Sequence, residues 1–182
     1  MTETRSVLVL GGARSGKSAY AERLAEAAEG AERVLVATGE AGDEEMAVRI
    51  ARHRAARGAG WTTLEAPLKL AEALKADARP GRVALVDCLT LWLSNLMHAG
   101  RDIEAEIGGL ASAIRALESP AIFVSNEVGL GIVPETKLGR AFRDAQGRLN
   151  RDIAAACDAV IFIAAGLPTL LKPKNPPDLR LL

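Results

Sequence analysis

The sequence predicts an α/β fold with a mostly parallel central sheet and helices on both of its faces. Two observations carry that reading. Short continuous apolar runs such as Ser6–Leu10 (SVLVL), Val83–Asp87 (VALVD) and Ala159–Ala164 (AVIFIA) lack the alternation of a strand with one wet face, so they read as strands buried on both sides. They also alternate with longer segments of helical period, the arrangement that produces parallel sheets.

In chain order, Ser6–Leu10 is a strand and Lys17–Glu29 an Ala/Glu-rich helix. Arg33–Ala37 is a second strand, followed by a polar turn and a helix from about Asp43 to Arg57. Trp61–Leu64 reads as a short strand, and Pro67–Ala78 as a helix opened by its proline. Val83–Asp87 is again a strand, with Leu89–His98 helical after it. Asp102–Leu117 places Ile103, Ile107, Leu110, Ile114 and Leu117 on one helical face. Ala121–Ser125 is a strand, Asn126–Glu135 a glycine-containing loop, Thr136–Cys157 a long helix and Ala159–Ala164 the last clear strand. Residues 1–172 read as a single domain, and 173–182 as a proline-rich tail without helical or strand pattern.

Composition removes several classes of function. Twenty-three basic residues balance 23 acidic ones, and three Phe, two Trp and one Tyr offer little to stack bases on, so nucleic acid is not an expected partner. No apolar run has the length of a membrane span, and the start of the chain lacks the apolar core of a signal peptide. Cys88 and Cys157 have no metal-type spacing and sit in apolar surroundings, as small core residues would. A reduced, cytoplasmic setting is the expectation.

Gly11-Gly12-Ala13-Arg14-Ser15-Gly16-Lys17-Ser18 matches G-x-x-x-x-G-K-S, directly after the first strand and at the start of a helix. Glycines let the backbone N–H groups converge on phosphate oxygens, and the helix N-terminus adds its positive end. Lys17 is placed to reach β and γ phosphates, and the Ser18 hydroxyl to ligate Mg²⁺. The fold class is therefore a P-loop NTPase, RecA-like, binding a nucleoside triphosphate with Mg²⁺. Asp87, at the end of its strand, is the candidate second Mg²⁺ group; the plainer alternative is a polar residue that merely closes a buried strand.

Two further segments are less easily read. On a helix from Asp43 to Arg57, Met46, Ile50 and His53 share one stripe with Arg57 a turn beyond. His53 reads first as a partly buried histidine on an apolar face, with a catalytic nucleophile or base as the sharper alternative. The surrounding Arg49, Arg52, Arg54 and Arg57 form either a solvated basic face or a phosphate-binding one. The loop Asn126–Pro134 leaves a strand at the edge where ligands bind in open α/β folds, and fits a substrate lid or a plain connection equally.

The segments GGARSGKS, ATGEAGDEEMAVRIARHRAARGAGWTTLEAP, VDCLT and SNEVGLGIVPETKLGRAFRDAQGRLNRDIA, in this order from about Val7 to Lys172, resemble the bifunctional adenosylcobinamide kinase/adenosylcobinamide-phosphate guanylyltransferases of cobalamin biosynthesis. The resemblance implies phosphorylation of the aminopropanol hydroxyl of adenosylcobinamide by ATP or GTP. It implies next the transfer of GMP from GTP, through a guanylylated histidine, to give adenosylcobinamide-GDP and pyrophosphate. That histidine would be His53, leaving His98 outside any motif. The nucleotide site would comprise Gly11–Ser18, Ala37-Thr38-Gly39, Arg54-Ala55-Ala56-Arg57, Glu65 and Asp87. A homotrimer is implied as well. Position 87 is Glu in some relatives, and Arg151 stands where Gln is expected. Two other readings share the P-loop: a different small-metabolite kinase, and a non-catalytic GTP-binding regulatory module.

Overall fold

The structure, a computed structural model, describes residues 4–28, 30–39 and 60–173. Within them seven strands form one sheet: β1 Ser6–Gly11, β2 Glu32–Ala37, β3 Trp61–Glu65, β4 Arg82–Asp87, β5 Ala121–Asn126, β6 Ala159–Ala164 and β7 Leu167–Lys172. The order across the sheet is β3-β2-β4-β5-β1-β6-β7. Every pairing is parallel except that of β6 with β7. The helices among these residues are α1 Lys17–Glu26, α2 Leu70–Asp77, α3 Leu89–His98, α4 Ile103–Arg115 and α5 Lys137–Ala156. The expected helix from Asp43 to Arg57, and with it His53 and Arg54–Arg57, lies outside the described residues.

The unbroken apolar runs follow from burial on both faces. Leu8, Leu10, Val34, Val36, Val86 and Phe123 face the layer made by α2, α3, α4 and α5, through Leu74, Trp92, Leu110 and Leu149 among others. Val7, Val9, Leu35, Leu85, Ile122 and Val124 face the opposite way, where Ala21 and Ala25 of α1 pack. Alternate residues of each strand thus serve two different cores. Both thiols lie in these cores. Burial is the main cause that raises Cys88 to about 11, helped by the neighbouring Asp87 charge, and Cys157 to about 12.

Helix boundaries are set by local chemistry. Asp102 caps α4 by accepting from Glu104 N and Ala105 N, and Thr136 caps α5 by accepting from Gly139 N. The helix expected from Pro67 begins later, at Leu70. The carbonyl of Pro67 accepts from Asn95 Nδ2 at 3.1 Å and that of Leu68 from Trp92 Nε1 at 2.9 Å, so α3 holds this stretch outside helical geometry. Helix α1 ends at Glu26 rather than Glu29, ahead of a turn at Gly30 with φ 72°.

Strand β7, ending at Lys172, was not expected from sequence. The two-residue turn Ala165–Gly166 has positive φ at both positions, 51° and 80°, as a tight hairpin between twisted strands requires. Lys172 then reaches back to the end of α5, where its ammonium donates to the carbonyls of Ala154, Ala155 and Cys157. A cation on unpaired carbonyls at a helix C-terminus is favourable both as hydrogen bonding and against the helix dipole. Arg151, by contrast, is exposed and turned to Asp152, so the residue type at this position bears on the surface of α5 and not on its packing.

Two outcomes follow from this packing. Lys172→Met keeps the aliphatic stem and removes the charge; thermal unfolding is expected to show a loss of about 1–3 kcal/mol, and unchanged stability would deny the cap its role. Native protein at pH 8 is expected to leave both cysteines unmodified by iodoacetamide, since thiols near 11 and 12 stay protonated there, with both reacting in denaturant.

Candidate active site

The carboxyl ends of the parallel strands converge on the phosphate loop. In register across the sheet, Glu65, Ala37 and Asp87 lie side by side at the ends of β3, β2 and β4, and Asn126 lies beside Gly11 at the ends of β5 and β1.

Gly11 tolerates no side chain. A Cβ there would stand 2.5 Å from Ser15 Oγ and 2.6 Å from the carbonyl oxygen of Ile163. This close approach lets the loop fold back on the strand end, with Ser15 N donating to Gly12 O at 3.3 Å. Gly16 opens α1 with φ 93°, a conformation glycine adopts without steric cost. The β6–β7 turn closes the loop from the other side: Gly166 N donates to Ser15 O at 2.9 Å.

Lys17 is buried, and its ammonium donates to Gly12 O at 3.0 Å, so it lies folded over the loop. Ser18, half-buried, occupies the first turn of α1, while Ala13 and Arg14 are exposed. Ser15 Oγ is sealed from solvent and has no hydrogen-bond partner among the described residues. A buried hydroxyl left in that condition beside a phosphate cradle suits an oxyanion acceptor.

Thr38 holds the neighbouring strand end. Its hydroxyl donates to Cys88 O at 2.7 Å and accepts from Cys88 N at 2.8 Å, and its own carbonyl accepts from Asn95 Nδ2 at 2.7 Å. The side chain is fully buried, so its hydroxyl serves to fix the Asp87–Cys88 segment. The half-buried Asp87 carboxylate thereby stays at the site edge, two strands from β1. Glu65 is exposed and lies on β3, four strands from β1, about 19 Å across the sheet at normal strand spacing. The structure thus brings together the phosphate loop, Asp87 and the Thr38 turn, and holds Glu65 at the far end of the same edge.

One set of residues went unread in the sequence. Thr90 Oγ1 accepts from Asn126 N at 2.9 Å, and Asn150 Nδ2 donates to Asn126 O at 3.0 Å. Behind them Ser125, Gln146 and Asn150 form a buried polar cluster joined by bonds of 2.7–3.0 Å. The only sequence signal for it is a pair of polar residues four apart, Gln146 and Asn150, on the apolar face of a long helix.

A strand, glycine loop and helix at the carboxyl edge of an open parallel sheet, with an acidic residue closing a strand of the same edge, define a P-loop nucleotide-binding protein. Its fold is similar to an ATPase domain (TM-score 0.51, 15% identity, covering 88% of this chain and 70% of that one). It is also similar to a prototypical ATPase of the type III secretion system of pathogenic bacteria (TM-score 0.57, 12% identity, covering 91% and 56%). The sequence narrows this class: residues 7–171 match the cobinamide kinase / cobinamide phosphate guanyltransferase family, and the chain belongs to it. It is 50% identical over 91% of its length to the bifunctional adenosylcobalamin biosynthesis protein CobP of Pseudomonas aeruginosa, covering 96% of that protein. To the corresponding protein CobU of Escherichia coli it is 39% identical, covering 91% of this chain and 99% of that one.

Gly11→Ala is expected to disrupt the loop, because one of the two atoms it meets is backbone that can move only with β6. Isothermal titration should show nucleotide affinity falling at least tenfold, or about 1.4 kcal/mol; retained affinity would mean that the loop adapts.

Proposed function

We propose that this chain phosphorylates the aminopropanol hydroxyl of adenosylcobinamide with ATP or GTP. It then transfers GMP from GTP, through a guanylylated His53, to give adenosylcobinamide-GDP and pyrophosphate. The observation that carries this reading is the family match over residues 7–171, joined to a phosphate loop whose geometry is complete.

The chemistry of the first step asks mainly for position and neutralised charge. Lys17, already folded over the loop, supplies a cation for the β and γ phosphates. Backbone N–H groups of the loop and the start of α1 supply the remaining positive potential. The Ser18 hydroxyl and the Asp87 carboxylate are hard oxygen donors of the kind Mg²⁺ takes, and these two residues would hold it. When bound, the ion neutralises charge between the phosphates. In the second step a neutral imidazole of His53 attacks the α phosphorus of GTP, and pyrophosphate leaves with the electrons of the broken P–O bond. The arginines near His53 in sequence would stabilise charge on the phosphoryl oxygens.

The corrinoid is large, and the reading gives it an apolar surface to meet. Leu130 is 82% exposed and Ile132 96%, with Val133 and Leu138 also open, all in the segment that follows β5. Side chains of this kind so fully in water favour a surface that is covered in use, by the corrinoid, by a second subunit of a homotrimer, or by both. Such a trimer working in the cytoplasm completes the proposal, and a monomeric mass by light scattering would remove it.

Labelling with GTP carrying radioactive phosphorus at the α position, beside a γ-labelled control, tests the mechanism. The expected result is a protein-bound α label that is acid-labile, alkali-resistant and absent in His53→Ala, with kinase activity on cobinamide partly retained in that variant. Equal loss of both activities in folded His53→Ala would overturn the division of labour. No α label on wild-type protein that binds GTP would favour the simpler kinase.

A further inference from the structure

We propose that Asn126 orients the acceptor hydroxyl for phosphoryl transfer, its side-chain carbonyl oxygen accepting the hydrogen bond of the group that attacks the γ phosphate. The proposal rests on the kinase reading above for the identity of that group, the hydroxyl of the corrinoid arm; water takes its place when nucleotide is hydrolysed.

Three features of the structure single out this residue. The first is its place. Strand β5 runs between β1, which delivers the phosphate loop, and β4, which delivers Asp87. Asn126 is in register with Gly11, and it lies two residues beyond Val124, the partner of Asp87. Its Cα is therefore about 5 Å from the strand end that opens the loop, on the side of Asp87. The next residue continues the contact, Glu127 N donating to Gly11 O at 3.1 Å.

The second feature is an uncommitted acceptor on a fixed backbone. The N–H of Asn126 is held by Thr90 Oγ1 and its carbonyl by Asn150 Nδ2. Asn150 is itself fixed by Ser125 and Gln146, all three buried. Yet Asn126 Oδ1 is sealed from solvent with no hydrogen-bond partner among the described residues. A polar cluster that anchors the backbone so fully while leaving the side-chain oxygen without a donor costs stability, and function is the common reason for such a cost. The terminal torsion of asparagine is broad, so the amide can turn toward the phosphate side without giving up a bond from Oδ1.

The third feature is chemical. An unpaired carbonyl oxygen asks for a donor, and phosphates offer none at neutral pH, whereas an attacking hydroxyl offers one. The neighbouring carboxylate is otherwise engaged: Glu127 Oε1 accepts from Gly129 N at 2.7 Å and shapes the following turn. In the step itself the hydroxyl oxygen forms a bond to the γ phosphorus, the bond to the β,γ-bridging oxygen breaks, and the nucleoside diphosphate leaves with that electron pair. The hydroxyl proton passes to a γ-phosphoryl oxygen. A neutral amide cannot take it, so Asn126 aims the nucleophile and does not act as base.

Asn126→Ala in the full chain tests this, with ATP as phosphate donor and two acceptors, cobinamide and water. Because Oδ1 has no internal partner, the variant is expected to keep the wild-type melting temperature within a few degrees. Phosphorylation of cobinamide and intrinsic ATP hydrolysis should each fall about 100-fold in kcat, with the Kd for ATP changed less than about threefold. Labelling by α-labelled GTP should persist, since attack at the α phosphorus uses a different nucleophile. Rates within threefold of wild type overturn the proposal, as does a loss confined to ATP affinity, which would make Asn126 a nucleotide ligand. If the alanine variant fails to fold, Asn126→Ser, whose hydroxyl is too short to reach the same point, is read by the same criteria. Wild-type protein that hydrolyses ATP without phosphorylating cobinamide would end the kinase reading, while the hydrolysis comparison still decides the role of Asn126.

Discussion

The approach of backbone to backbone at Gly11 is the constraint on which the site depends. With Ser15 Oγ and the Ile163 carbonyl where a side chain would stand, β1 can turn sharply into the phosphate loop while remaining paired with β6. The turn delivers Lys17 over the loop and starts α1, whose Ala21 and Ala25 then cover one face of the sheet. The hairpin that follows the same end of β6 adds a second hold on the loop. Gly166 binds the Ser15 carbonyl, so the loop is gripped between the strand it leaves and the turn of a neighbouring pair.

Around this point the sheet edge is organised by polar side chains that bind backbone. Thr38 clamps Cys88, Asn95 holds the carbonyls of Thr38 and Pro67, and Thr90 with Asn150 holds Asn126. Each fixes a strand end where regular pairing stops and unpaired backbone groups would otherwise need water. Rigid strand ends are what a phosphoryl-transfer site requires, because its catalysis rests on position more than on covalent chemistry.

Much of this was legible in the sequence because its signals are local. Five strands announce themselves as apolar runs, and the phosphate loop combines residue types with a strand and helix on either side. Strand β7 was hidden because Leu167–Lys172 contains a proline, is exposed along most of its length, and follows a turn whose first residue is Ala165 rather than the usual Asn or Asp. The proline at 67 misled in the opposite direction: Trp92 and Asn95, far along the chain, hold the carbonyls that a helix would have used. Asn126 could not be assigned because its neighbours Thr90 and Asn150 become neighbours only in the fold. No spacing pattern singles out His53 over an ordinary apolar-face histidine; only the family resemblance makes it the candidate nucleophile.

Strand β7 also limits how copies of this chain can join. It forms one border of the sheet, and Pro168 within it has no N–H to offer an incoming strand. Lys172, at its end, is drawn inward to α5. A border with a missing donor resists extension by a strand from another molecule, even though Leu167, Leu170 and Leu171 are open to water there. At this border, then, a strand from another molecule is kept from lengthening the sheet, and whatever approaches meets a surface of side chains instead.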